Sequence, residues 1–286
     1  MNLEELRQTF YFSLFSSDEL MESLVLKGGS AINSFYDQGG SRVSLDIDFS
    51  MEEQFEDLNK TRDIFEKVLS EGFADKSIHV FDVTLIDTPS PLSAELEDFW
   101  GGYTLSFKII SLDRKNNEIE EKRKRAIMIN GKGKFKVDIS KFEYVDYAEE
   151  QALDEKGIFT IKVYTPAMII CEKIRAICQQ LPEYGPIVKR TKKPGKARAR
   201  DFYDIHLLVK KFNFKINEHL VLLNKFFEIK RVPIEFLKKL KTPEVKAFHE
   251  NGYNSLKDTV IDDSLKEFTF YYDFLIDIIS SIEEHY

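Results

Sequence analysis

Asp46 and Asp48, one residue apart in Ser44-Leu45-Asp46-Ile47-Asp48-Phe49, have the types and spacing best suited to bond-making chemistry in this sequence. Residues two apart in an extended strand point to the same face. The strand predicted over Arg42–Ser50 therefore turns both carboxylates to one side and Leu45, Ile47 and Phe49 to the other. Two like charges at that spacing repel in a dry site. A divalent cation removes the conflict, and Mg²⁺ commonly joins one or two carboxylates to a substrate's phosphates. Solvated aspartates on an exposed strand edge would give the same triplet, so Asp-x-Asp alone does not decide.

Lys27-Gly28-Gly29-Ser30 lies upstream, after the apolar Leu24-Val25-Leu26. Gly28 and Gly29 let the backbone come close to a phosphate. The helix predicted from Ser30 to Tyr36 offers unpaired N–H groups and a positive dipole end, and Ser30 adds a hydroxyl. A plain helix N-cap uses the same geometry. Asp138, in Phe135-Lys136-Val137-Asp138-Ile139, is a carboxylate between apolar neighbours in a strand-like run. A backbone or lysine partner would satisfy it, as would a metal. Beside Asp46 and Asp48 in a sheet it would complete a three-carboxylate, two-metal site, with Asp138 as general base for an attacking hydroxyl.

The elements that must position these groups follow from periodicity. Helical patterns cover Leu3–Leu24, with a start at Ser17, and Gln54–Leu69. Strand patterns cover Ile78–Ile86, Tyr103–Leu112, Lys134–Ser140 and Ile158–Tyr164. Pro166 suits the first turn of a helix continuing to Gln180, and nearly everything after Asp201 reads as helix. The expectation is an α+β chain: residues 1–160 a mixed-sheet α/β domain, residues 161–286 a helical domain with a basic loop over 189–200. The 286 residues carry a net charge of −8, which argues against simple adhesion to nucleic acid. Residues 161–215 run the other way, at a net +9. Cys171 and Cys178, the only two cysteines, fall seven apart on one helical face and read as buried thiols in a reducing compartment. With no leader pattern and no membrane-length apolar run, a cytoplasmic protein without membrane association is expected.

Taken in order, Leu26-Lys27-Gly28-Gly29-Ser30, Arg42-x-Ser44-x-Asp46-x-Asp48-Phe49, the Asp138 strand, Glu172-Lys173-Ile174-Arg175-Ala176 and Arg200-Asp201-Phe202-Tyr203-Asp204 resemble the AbiEii/MenT group of nucleotidyltransferase toxins from type IV toxin–antitoxin systems. That group falls within the polymerase-β-type superfamily. The resemblance implies a polymerase-β-like nucleotidyltransferase domain followed by helices. It implies transfer of a nucleoside monophosphate from an NTP to RNA, with the tRNA 3′ end as acceptor, and a cognate antitoxin encoded nearby. Gly28, Gly29 and Ser30 would bind the donor triphosphate, and Asp46, Asp48 and Asp138 would hold Mg²⁺. Lys173 would reach nucleotide phosphates. Arg200 would bind nucleotide, and Asp201 and Asp204 would be catalytic.

Some of these residues have simpler readings. Asp201 and Asp204 are three apart, as in a capping box, and a snorkelling lysine accounts for Lys173. Arg175 is about 200° round the helix from Lys173, so Lys173 is favoured for a phosphate. Lys189, Arg190, Lys192, Lys193, Lys196, Arg198 and Arg200 read as a solvated loop or as a clamp on RNA phosphates, with Tyr184 and Tyr203 available to stack on a base. Two other functions fit the same residues: transfer to a small-molecule or protein hydroxyl, and a non-catalytic NTP- or RNA-binding module.

Overall fold

Apolar residues at every second position of five strands build one face of a seven-stranded sheet. The computed structural model describes all residues except 38–41, 45, 191–194, 262–264 and 286. The chain divides into two compact units. The first comprises residues 1–30, 45–97 and 101–163, and the second residues 31–44, 98–100 and 164–286.

The first unit contains α1 (Leu3–Leu14), α2 (Asp18–Ser23), β1 (Val25–Lys27), β2 (Ile47–Ser50), α3 (Leu58–Ala74), β3 (Ile78–Thr88), β4 (Gly102–Ser111), α4 (Ile119–Lys124), β5 (Phe135–Ser140), β6 (Glu149–Ala152) and β7 (Thr160–Val163). The sheet order is β3-β4-β5-β2-β1-β7-β6. β2 runs parallel to β5 and antiparallel to β1, and β1 runs parallel to β7. Phe49, Leu105, Phe107, Val137 and Ile139 line one face and are almost fully buried. Phe10 of α1 stacks on Phe107 at 6.1 Å, and Phe73 of α3 meets the same ring edge-on at 5.9 Å. Burying such rings is worth about 1.5–3 kcal/mol each. The helices α1 and α3 approach closely at Gly72, where a Cβ would lie 2.1 Å from the Ser13 hydroxyl. The other face is polar, and register places Lys27 opposite Asp48, Asp48 beside Asp138, and Asp138 opposite Thr104.

The predicted strand over Arg42–Ser50 is shorter than expected, because pairing begins at Ile47. Residues 42–44 belong to the second unit. There Asn33 donates to the Arg42 carbonyl and accepts the Ser44 N–H, while Val43 N–H donates to the Thr259 carbonyl. β6 has no apolar alternation, with Glu149 and Glu150 on it, and exists by pairing with β7.

The second unit is helical. Its main helices are α5 (Pro166–Cys178), with Pro166 in its first turn, α6 (Ala199–Phe212), α7 (Leu220–Ile229), α8 (Pro243–Glu250) and α9 (Phe268–Ser280). Ile169, Ile170, Ile174 and Ile177 of α5 are fully buried. Phe202 of α6 packs edge-on against Phe268 and stacks on Tyr272 of α9. Residues 268–274 thus serve the core. Tyr203 is buried, and Tyr184 is fully buried with its hydroxyl donating to the Lys230 carbonyl, so neither ring is available to stack on a base. Cys171 and Cys178 are buried free thiols whose pKa burial pushes up. Among the described residues no helix is long and apolar enough to cross a membrane.

Candidate active site

In the first unit the Gly28 turn lies at the end of β1. Gly28 has φ +65°, and a Cβ there would stand 3.0 Å from Asp48 Oδ2. Only glycine meets both demands without strain. A short helical segment begins at Gly28, two residues earlier than predicted, and continues as a wider turn over Ile32–Tyr36. Ser30 is fully buried. Its hydroxyl donates to the Lys27 carbonyl at 2.9 Å and accepts the Asp48 N–H at 3.3 Å. Ser30 therefore ties the turn to the strand bearing Asp48, with Gly28 part-exposed and Gly29 buried beside it.

Asp48 and Asp138 are paired in register on neighbouring parallel strands. Thr104 donates its hydroxyl to Asp138 Oδ1 at 2.8 Å, fixing one oxygen of that carboxylate. Lys27, 6% exposed, reaches along the same face and donates to the Ser140 hydroxyl at 2.9 Å, with Glu143 at 3.7 Å. Sequence reasoning missed Lys27 as part of this face; its signal was a lysine directly before the glycine pair.

Asp46 precedes β2 and is half exposed, with its carboxylate 3.7 Å from the Lys132 ammonium. Among the described residues no three His, Cys, Asp or Glu side chains form a group that could hold a metal ion. The fit to a metal is therefore partial. Asp48 and Asp138 are adjacent as two oxygen ligands would be, while the third expected carboxylate is engaged by a lysine. A cavity of about 370 Å³ includes Asp46 and Asp138 in its walls. A larger one, about 1230 Å³ between α1 and α3, contains neither. The smaller one meets the carboxylate face at Asp46 and Asp138, while Asp48 and the Gly28 turn lie outside its walls.

The second unit assembles a buried charge cluster. Lys173 Nζ lies 2.7 Å from Asp201 Oδ1 and 2.9 Å from Asp204 Oδ2. Arg42 forms a two-pronged pair with Asp204, Nε to Oδ1 and Nη2 to Oδ2, both 2.6 Å. Arg198 adds a contact to Asp201 at 3.2 Å. The predicted capping box is absent: α6 starts at Ala199, so Asp201 sits in its first turn and spends its carboxylate on Lys173 and Arg198. Arg175, as its angle required, points elsewhere, pairing with Glu172 and lying over Phe226. Arg42 was not singled out for this role, although it stands in the motif before Asp46.

Burial alone would raise the Asp204 pKa, but Arg42 and Lys173 hold it down at about 2. Asp201 is likewise held low against its burial by Lys173 and Arg198. The unfolded carboxyls bind protons near pH 4 that the native ones refuse, so the stability they contribute is full above about pH 4 and is lost toward pH 2. Asp204 alone should account for roughly 2 kcal/mol. Urea unfolding from pH 6 to pH 2 should therefore show a falling free energy, with that part of the fall missing in Asp204→Asn.

The basic loop is partly tied down. Arg190 donates to the Gln179 carbonyl, Arg200 donates to the Ser255 carbonyl through two nitrogens, and the Lys196 N–H donates to the Gln180 side chain. Lys189 takes a left-handed backbone, φ +52°. Lys192 and Lys193 lie outside the described residues.

The fold has a solved counterpart. MenT4, a nucleotidyltransferase toxin from Mycobacterium tuberculosis H37Rv, aligns over 97% of this chain and 82% of its own at TM-score 0.52 and 13% identity, a likeness of fold. A candidate nucleotidyltransferase from H. pylori aligns over 99% and 93% at TM-score 0.48 and 16% identity. No curated protein matches the chain. The profile of the nucleotidyl transferase AbiEii toxin family, type IV toxin–antitoxin system, matches residues 9–274. The chain belongs to that family and is a nucleotidyltransferase toxin.

Proposed function

We propose that this chain moves the nucleoside monophosphate of an NTP onto an RNA hydroxyl, with the tRNA 3′ end as acceptor, and acts in the cytoplasm beside a cognate antitoxin. The observation that carries the proposal is the in-register pair Asp48 and Asp138 on the polar sheet face beside the Gly28 turn. The acceptor oxygen attacks the α-phosphorus, the bond from that phosphorus to the bridging oxygen breaks, and pyrophosphate leaves. Asp138, held by Thr104, takes the hydroxyl proton. Backbone N–H groups of Gly28 and Gly29 hold the leaving phosphates. Asp48 and Asp138, with Asp46 as the third carboxylate, would hold Mg²⁺, which neutralises phosphate charge and lowers the pKa of the attacking hydroxyl. Lys173 is the candidate cation for the nucleotide, kept charged by Asp201 and Asp204, and Arg200 of α6 is a second candidate for it. Lys189, Arg190, Lys192, Lys193, Lys196 and Arg198 are candidates for RNA phosphates.

The test is to incubate the protein with each labelled NTP in turn, Mg²⁺ and total cellular RNA. Label in the tRNA fraction, lost with EDTA, is expected. Saturable NTP binding with no label in any RNA would overturn the proposal.

A further inference from the structure

The strand that carries Asp138 and the turn leading into it carry lysines that the reaction above leaves unused. Lys136 alternates with the buried Phe135 and Val137 and so shares a face with Asp138, Lys134 stands in the bend just before β5, and both are exposed. Among the described residues neither has an ion-pair partner, whereas Lys132, at the preceding turn, lies against Asp46. Residues 122–136 hold seven basic side chains and no acidic one. The cavity of about 370 Å³ is walled by Lys132, Lys134 and Lys136 and reaches both Asp46 and Asp138.

Strand order indicates whose phosphates these lysines meet. β2 lies between β1 and β5, so the Gly28 turn and the lysine row flank Asp48 on opposite sides, about 10 Å apart. With the donor triphosphate on the Gly28 turn, as in the functional reading on which this step rests, the lysines fall on the acceptor's side. Two residues of chain, at most about 7 Å, separate the positions from which their ammonium groups rise, which lets each meet a different phosphate. We propose that Lys134 and Lys136 bind the phosphodiester backbone of the terminal nucleotides of the acceptor RNA.

The donor's triphosphate offers the same oxyanion chemistry, and the experiment separates the two sources. Lys134→Gln/Lys136→Gln is compared with wild type and with Lys60→Gln/Lys67→Gln, an exposed pair on α3. Binding of a short single-stranded RNA is measured by fluorescence anisotropy across a salt series, and binding of a fluorescent NTP in parallel. RNA affinity should fall about tenfold at low salt, with the log–log salt slope reduced by about 1.4 for two lost phosphate contacts. NTP affinity should hold, the Lys60/Lys67 pair should bind as wild type, and Lys134→Arg/Lys136→Arg should restore RNA binding. Unchanged RNA binding, an equal loss in the Lys60/Lys67 pair, or a loss of NTP affinity in place of RNA affinity would each overturn the proposal. Absence of transfer to RNA by the wild type would sink the functional reading, while the binding series still decides the lysines.

Discussion

Asp48→Asn and Asp138→Asn should each lower the transfer rate by about 10³-fold or more, or about 4 kcal/mol of barrier. Each change removes a charge and little else. Asn keeps the side-chain shape, and at position 138 it keeps an oxygen able to accept from Thr104, whose bond to Asp138 is 2.8 Å. Neither side chain is in the buried core, so unfolding free energies should stay within about 0.5 kcal/mol of wild type. Single-turnover transfer measured alongside urea unfolding checks both halves. Full activity in either variant would remove that carboxylate from the reaction. A large loss of stability would assign it to the fold instead.

Asp204→Ala should have the largest effect on stability, about 3–5 kcal/mol. Asp204 is fully buried, with Arg42 on one side and Lys173 on the other. Its removal leaves two buried cations with Asp201 as their remaining carboxylate in the cluster. Domains commonly hold about 5–15 kcal/mol in total, so the variant would stand near the edge of folding. Arg42→Met should be milder, because Lys173 still neutralises Asp204. The double variant Arg42→Met/Asp204→Leu should cost less than the sum of its parts, because removing a pair together avoids an orphaned charge. A double-mutant cycle by urea unfolding measures the coupling. A cost below about 1 kcal/mol for Asp204→Ala would show that the cluster is not what holds α5, α6 and the Arg42 segment together. A purely catalytic Asp204 would leave stability unmoved.

Local pattern accounts for much of the fold and of the site. Period-two alternation located the strands of Asp48 and Asp138, and the Gly28 turn followed from its glycines. Pro166 marked the start of α5. The course of the chain ahead of Asp46 was not legible, because Arg42–Ser44 has the alternation of a strand but is drawn away by Asn33, Thr259 and Asp204. β6 was invisible because its glutamates carry no strand propensity of their own. The densest basic run, 189–200, attracted the RNA assignment, yet Arg190, Arg198 and Arg200 have protein partners.

The sequence by itself determined which residues could do chemistry and which faces of their strands would carry them. Side-chain type and local periodicity are properties of neighbouring residues. Tertiary structure alone decided which charges neutralise each other. Arg42 meets Asp204 across 162 positions, and Lys27 lies 3.7 Å from the Glu143 carboxylate. It also set the register that puts Asp48 beside Asp138, held the Ser30 hydroxyl between Lys27 and Asp48, and turned Asp46 toward Lys132. Such pairings depend on where distant segments are brought by burial of their apolar faces, and local spacing carries no record of that.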